Sequence, residues 1–209
     1  MNFSVIALVY NEEERITYQL NQFKNFTDDI IVFDTESTDN TSLIAKTFTN
    51  RIFQVPFVGY CDCYKEHAQW KAKYDWILWS YTDEIWSEEL LTWIKKLEED
   101  IDKDVIFFHR YEELDGKREE PDFGFHLRFH RKGLVYHPDL MDCDMFLSNR
   151  HSKEKQFFIH SKSSKERDKD KSLRIIACKL LINRYRLTEF EPYKSYVKAY
   201  GEWLKQNDN

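Results

Sequence analysis

Phe3-Ser4-Val5-Ile6-Ala7-Leu8-Val9-Tyr10 runs straight into Asn11-Glu12-Glu13-Glu14. A nearly continuous apolar run that stops at a polar cluster reads as a strand buried on both faces, the kind found inside a parallel sheet. Outward from it, Ile16, Leu20 and Phe23 recur at helical spacing, so residues 12–26 are expected to form an amphipathic helix. A second buried strand spans 30–33 and ends at Asp34, followed by the loop Thr35-Glu36-Ser37-Thr38-Asp39-Asn40 and a helix over 41–48. A third strand over 51–55 stops at Pro56, a helix covers 62–73, and a fourth strand covers 75–80. Ser87 then caps a helix, with Glu88 and Glu89 in the first turn where the dipole favours them. Strand and helix in strict alternation imply a mostly parallel, Rossmann-like central sheet flanked by helices.

Beyond residue 100 the pattern changes. Strands are expected over 105–111, 123–131 and 134–137, with turns at Asp115-Gly116 and Lys132-Gly133, and a short strand over 156–160. They form a small antiparallel addition. The charged stretch 162–171 mixes basic and acidic side chains and reads as a solvated face or a lid. Helices over 173–187 and 192–206 finish the chain. The 209 residues suggest a single domain over 1–209, divided into 1–100, 101–172 and 173–209.

Composition removes several functions. Hydrophobic residues make up 42% and aromatics 16%, which excludes a disordered chain. There are 5 glycines, and the first is Gly59, so the opening strand-to-helix turn carries neither a G-x-G-x-x-G nor a Walker loop. Lys and Arg total 31 against 37 Asp and Glu, a net charge of −6 that repels polyphosphate and argues against a nucleic-acid binder. No stretch reaches membrane-span length, and the first apolar run lacks the basic lead and cleavage site of a signal peptide. The cysteines Cys61, Cys63, Cys143 and Cys178 have no zinc spacing. The expectation is a reduced, cytoplasmic protein without a transmembrane segment.

Ligands of an open α/β sheet bind beyond the carboxyl ends of its strands. The polar residues collect there: Tyr10 and Asn11 after the first strand, Asp34 after the second, Thr82-Asp83-Glu84 after the fourth. Spacing alone gives no reaction. However, Val5-Ile6-Ala7-Leu8-Val9-Tyr10-Asn11-Glu12-Glu13, Ile31-Val32-Phe33-Asp34-Thr35-Glu36-Ser37-Thr38-Asp39, and Asp75-Trp76-Ile77-Leu78 leading to Thr82-Asp83-Glu84 together resemble the family 2 glycosyltransferases of the GT-A fold. Leu127-Arg128-Phe129-His130-Arg131-Lys132-Gly133 and Ile159-His160 extend the resemblance towards the lipopolysaccharide-core β-glucosyltransferase-like sub-group.

The resemblance implies a metal-dependent, inverting transfer of a hexose from a UDP-sugar, such as UDP-glucose, to a carbohydrate acceptor. The first hundred residues then hold the donor, and the next seventy serve acceptor and catalysis. It implies that Ala7, Tyr10, Asn11, Asp34, Lys65, Thr82 and Asp83 bind the nucleotide sugar. Tyr10 packs on the base, and Asp34 accepts the imide N–H that distinguishes uracil from cytosine. Lys65 sits near the diphosphate or is a solvated helix residue. Asp83 and His160 hold Mn²⁺ or Mg²⁺, with Glu84 as a further support. Tyr81 stands where the family's D-x-D motif has its first acid. The catalytic base falls among His137, Asp139, Asp142 and Asp144, with Asp144 favoured and Asp142 next. Trp86 and Arg128 are acceptor candidates, whereas Trp93, at helical spacing with Leu90, Ile94 and Leu97, reads as core. The alternative is a nucleotide-sugar-binding module that has lost catalysis. A nucleotidyltransferase would want a glycine-rich, basic first loop.

Overall fold

The computed structural model describes residues 1–57, 61–119, 124–136 and 145–166. Residues 1–57 and 61–163 form one compact unit. Expectations on 137–144 and 167–209, the base candidates and the C-terminal helices among them, lie outside the described residues.

Strand β1 (Phe3–Val9) is buried throughout and pairs in parallel with β2 (Ile30–Asp34) on one side and β4 (Trp76–Ser80) on the other. Strand β3 (Ile52–Gln54) adds in parallel to β2. Alternate residues of β1 feed two cores: Phe3, Val5, Ala7 and Val9 face one, Ile6 and Leu8 the other. This two-sided burial is why the strand shows no period-two pattern.

Helix α1 (Ile16–Phe23) buries Ile16, Gln19, Leu20 and Phe23, spaced to share one face. It starts later than expected because residues 13–15 form a turn, with Glu12 N donating to Thr41 Oγ1, Glu13 N to Asp39 Oδ2 and Arg15 N back to Glu12 O. Helix α2 (Thr41–Ala45) packs beside α1, and α3 (Lys65–Gln69) follows a short 3₁₀ turn at Asp62–Tyr64. In α4 (Glu88–Lys96) the Ser87 Oγ accepts from Leu90 N at 3.1 Å, with Glu88 and Glu89 in the first turn and Lys95 and Lys96 in the last. Cap and charges all match the helix dipole.

Most of the later strands extend the same sheet. The available edge of β4 takes β8 (Phe125–Arg131) antiparallel, β8 takes β6 (Val105–Leu114), and β6 pairs in parallel with β11 (His151–Lys162). The path ends at β5 (Glu84–Ile85), a strand not foreseen from sequence, which pairs with Ile159 and His160. Asp115 (φ 49°) and Gly116 (φ 73°) form the two-residue turn from β6 to β7 (Lys117–Arg118). A separate pair joins β9 (Val135–Tyr136) to β10 (Met145–Phe146). Among the described residues no helix is long and apolar enough to cross a membrane.

Candidate active site

The carboxyl ends of β1, β2 and β4 lie side by side. Asn11 adopts a left-handed φ of 53°, its N–H donates to Ser37 Oγ at 2.9 Å, and its Oδ1 accepts from Thr38 N at 2.7 Å. Glu12 N donates to Thr41 Oγ1, Glu13 N to Asp39 Oδ2, and Asn40 N to Glu13 Oε2. These bonds staple the loop after β1, Asn11 included, to the loop after β2.

Asp34 is fully buried at the end of β2. Its Oδ1 accepts from Ser37 N at 3.0 Å, while Oδ2 has no hydrogen-bond partner among the described residues. A buried acceptor left without a donor costs about 1–3 kcal/mol. A ligand N–H would remove that cost. Beside it, the Tyr10 ring stacks on Phe57, with centroids 3.8 Å apart and planes within 9°. Ala7 is fully buried mid-strand, between Val32 and Ser80.

After β4, the Tyr81 hydroxyl donates to Asp62 Oδ1 at 2.7 Å. The Arg128 guanidinium lies 5.0 Å from the Tyr81 ring centroid and the Lys65 ammonium 5.9 Å. Burial, reinforced by the Asp62 charge, pushes the phenol well above its ordinary pKa, so Tyr81 stays a neutral donor. Lys65 is buried, not solvated, with its Nζ 3.7 Å from Asp62 Oδ1. Glu84 corrects another expectation. It is fully buried, Oε1 accepts from Arg128 Nε at 2.6 Å and Oε2 from Tyr81 N at 3.1 Å, which commits it to holding the turn rather than a cation. The same contact ties Arg128 to Glu84 instead of leaving it to an acceptor. Thr82 occupies the turn between Tyr81 and Asp83.

Asp83 Oδ2 receives His160 Nε2 at 2.9 Å and Lys162 Nζ at 3.0 Å, while Oδ1 is buried without a hydrogen-bond partner among the described residues. His160 Nδ1 lies 2.6 Å from Glu112 Oε2. Burial alone would raise the Asp83 carboxyl, but the charge and hydrogen bond of His160, then Lys162, hold it well below the usual range. Burial likewise opposes protonation of His160, yet Asp83 and Glu112 outweigh it and raise the imidazole above its ordinary value.

A divalent cation fits this chemistry. Asp83 keeps one buried oxygen, Oδ1, without a hydrogen-bond partner among the described residues, His160 Nε2 sits on its other oxygen, and a carboxylate backs the imidazole, a common arrangement behind metal-bound histidine. Among the described residues no three acid, cysteine or histidine side chains gather to hold an ion alone, so the remaining ligands would come from substrate and water.

The metal-free pair also carries a pH signature. The raised His160 pKa contributes stability below about pH 6.5 that is lost as pH rises through its folded value. The lowered Asp83 pKa contributes above about pH 4 and is lost as pH falls. The stability gap between wild type and His160→Ala should therefore be widest between about pH 4 and 6.5. Urea titrations across pH would read it, and a gap that grows above neutrality would refute the assignment.

Trp86 corrects the acceptor platform. It is 3% exposed, stacked on Phe158 with centroids 5.0 Å apart and edge-on to Phe108 at 5.8 Å. Trp93 packs against the same core, as expected. Sequence reasoning missed Glu112, Asp62 and Lys162, which contact His160, Tyr81 and Asp83 respectively. Glu112 and Arg110 share one face of β6 by alternation, but nothing local announces that β11 will set His160 opposite Glu112.

The family model "Glycosyl transferase family 2" matches residues 4–158. Uncharacterized glycosyltransferases of Rickettsia typhi and Rickettsia prowazekii are 41% and 40% identical over 87 residues, 42% of this chain and 30% of each relative. The match thus spans less than a third of those relatives' length. Staphylococcus aureus TarS 1–349 in complex with UDP-GlcNAc shares the fold at a TM-score of 0.61 and 18% identity, covering 88% of this chain and 67% of that one. Glucosyl-3-phosphoglycerate synthase from Mycobacterium tuberculosis, in complex with Mn²⁺ and UDP-glucose, gives a TM-score of 0.54 at 14% identity, covering 86% and 78%. With the GT-A fold in place and three quarters of its length matched, the chain belongs to glycosyltransferase family 2.

Proposed function

We propose that the chain transfers a hexose, with inversion, from a UDP-sugar such as UDP-glucose to a hydroxyl of a carbohydrate acceptor. The observation that carries this reading is the buried Asp34 carboxylate, one oxygen held by Ser37 and the other without a donor. Uracil offers an N–H at the position where cytosine offers only an acceptor. The sequence run from Leu127 to Gly133, with Ile159-His160, supports placement near the lipopolysaccharide-core β-glucosyltransferase-like sub-group.

In this mechanism Asp34 reads the base and Tyr10 lies beside it. Lys65 and Arg128 flank the Tyr81 ring that precedes Asp83 in the same turn. Asp83 and His160 would hold Mn²⁺ or Mg²⁺, which offsets charge on the leaving diphosphate. Asp144, or Asp142 next to it, takes the proton from the acceptor hydroxyl as that oxygen attacks the anomeric carbon opposite the diphosphate.

Calorimetry tests the base pocket. UDP should bind and CDP should bind much more weakly, and Asp34→Asn should weaken UDP by about 1–3 kcal/mol. Equal affinity of wild type for UDP and CDP would remove the assignment. A second reading, a binding module without catalysis, draws support from Tyr81 in place of an acid and from Lys162 already on Asp83. It predicts donor binding with neither transfer nor hydrolysis.

A further inference from the structure

Glu112 is 8% exposed and sits on β6 directly across the parallel register from His160. One carboxylate oxygen is 2.6 Å from His160 Nδ1, and the other is 2.6 Å from Arg110 Nη2. Strand pairing does not require this contact, because the β6–β11 ladder runs on both sides of it, from His151 to Lys162. What the contact does decide is which imidazole nitrogen carries the proton. A nitrogen that bonds a carboxylate keeps its hydrogen, and the opposite nitrogen presents its lone pair when the ring is neutral. Here the opposite nitrogen is Nε2, which donates to Asp83 Oδ2 at 2.9 Å in the metal-free state, and a cation bound there would take the place of that proton.

We infer that Glu112 is a positioning residue: it fixes His160 with its proton on Nδ1 and its Nε2 turned to Asp83, so that the two side chains can share a divalent cation. The inference rests on the cation site proposed above. Arg110 plays the supporting part, because its guanidinium forms an ion pair with the second Glu112 oxygen and so favours the charged carboxylate. Burial, then the His160 hydrogen bond, act in opposite directions on Glu112, and the net effect lowers its pKa, consistent with an ionised acid at the back of the imidazole.

The test is Mn²⁺ alone, titrated into the full chain and followed by electron paramagnetic resonance, with a parallel titration of UDP in the absence of metal. Asp83→Ala and His160→Ala should abolish Mn²⁺ binding. Glu112→Ala should weaken it by about 10–100-fold, the usual worth of a partner behind a metal-bound histidine. Glu112→Gln should recover part of the loss, because its amide oxygen still accepts from Nδ1–H. Metal-free UDP binding should be unchanged in both Glu112 variants, which a merely structural role would not allow. If Asp83→Ala and His160→Ala lose Mn²⁺ while both Glu112 variants bind it like wild type, the inference fails and the cation site stands. If wild type binds no Mn²⁺, or all variants bind it equally, the cation site fails and the inference falls with it. Parallel loss of Mn²⁺ and UDP in Glu112→Ala, unrelieved by glutamine, overturns the positioning role. Should the alanine variant not fold, the glutamine variant decides: an affinity between those of wild type and His160→Ala supports the role, and wild-type affinity refutes it.

Discussion

Trp86→Ala should cost the fold about 3–5 kcal/mol, read as a lowered urea midpoint with an unchanged slope. The indole is 3% exposed and fills the space between Phe158, Phe108 and Phe23, so truncation leaves a cavity those rings cannot close together. Trp86→Phe should lose much less. A phenyl ring keeps the stack on Phe158, and it removes the Trp86 Nε1, a buried donor without a partner among the described residues. The damage should also reach the site. Trp86 directly follows β5, whose pairing with Ile159 and His160 holds Asp83 beside the imidazole. An exposed acceptor platform would behave in the opposite way, with normal stability and weakened acceptor use. Wild-type stability of Trp86→Ala would therefore overturn the core placement.

This residue marks where reading the sequence stopped short. The first half was legible because its signals are local: a doubly buried strand without period, helical spacing at Ile16, Leu20 and Phe23, a Ser87 cap with two acids behind it. Asp34 and Asp83 fell at strand ends, where polar residues after apolar runs stand out. The second half turns on pairings between distant segments. Strand β11 aligns with β6 from His151 onward, and its far end also pairs with β5, so a twelve-residue strand was visible only as its apolar tip over 156–160. Trp86 was misread for the same reason: β5 is two residues long, too short to announce itself, and its ladder to β11 is what turns Trp86 into the core. Glu84 looked like a spare ligand beside Asp83 until Arg128, on a strand forty-four positions away, took its carboxylate. Long-range pairing is paid for by the whole sheet and leaves little trace in any one segment.

Asp144→Asn should slow sugar transfer by about 10²–10⁴-fold and leave UDP-sugar affinity intact. A general base acts on the proton that leaves the acceptor hydroxyl, so its contribution belongs to the transition state and not to donor binding. Asparagine keeps the shape of the side chain and removes its basicity. The residue lies outside the described structure, and its assignment rests on the offset from Gly133 and on the order of the family motifs. Asp142→Asn is the control, because it sits two positions away and would share any general damage to the segment. A large fall in kcat for Asp144→Asn beside a small one for Asp142→Asn assigns the base to Asp144, and the reverse order moves it to Asp142. Wild-type rates in both send the role to Asp139 or His137. The same assay separates enzyme from binding module, because a chain that binds UDP through Asp34 but consumes no UDP-sugar with any acceptor has no base to find. In that case Lys162 and His160 on Asp83, with Tyr81 in place of an acid, belong to a binding module.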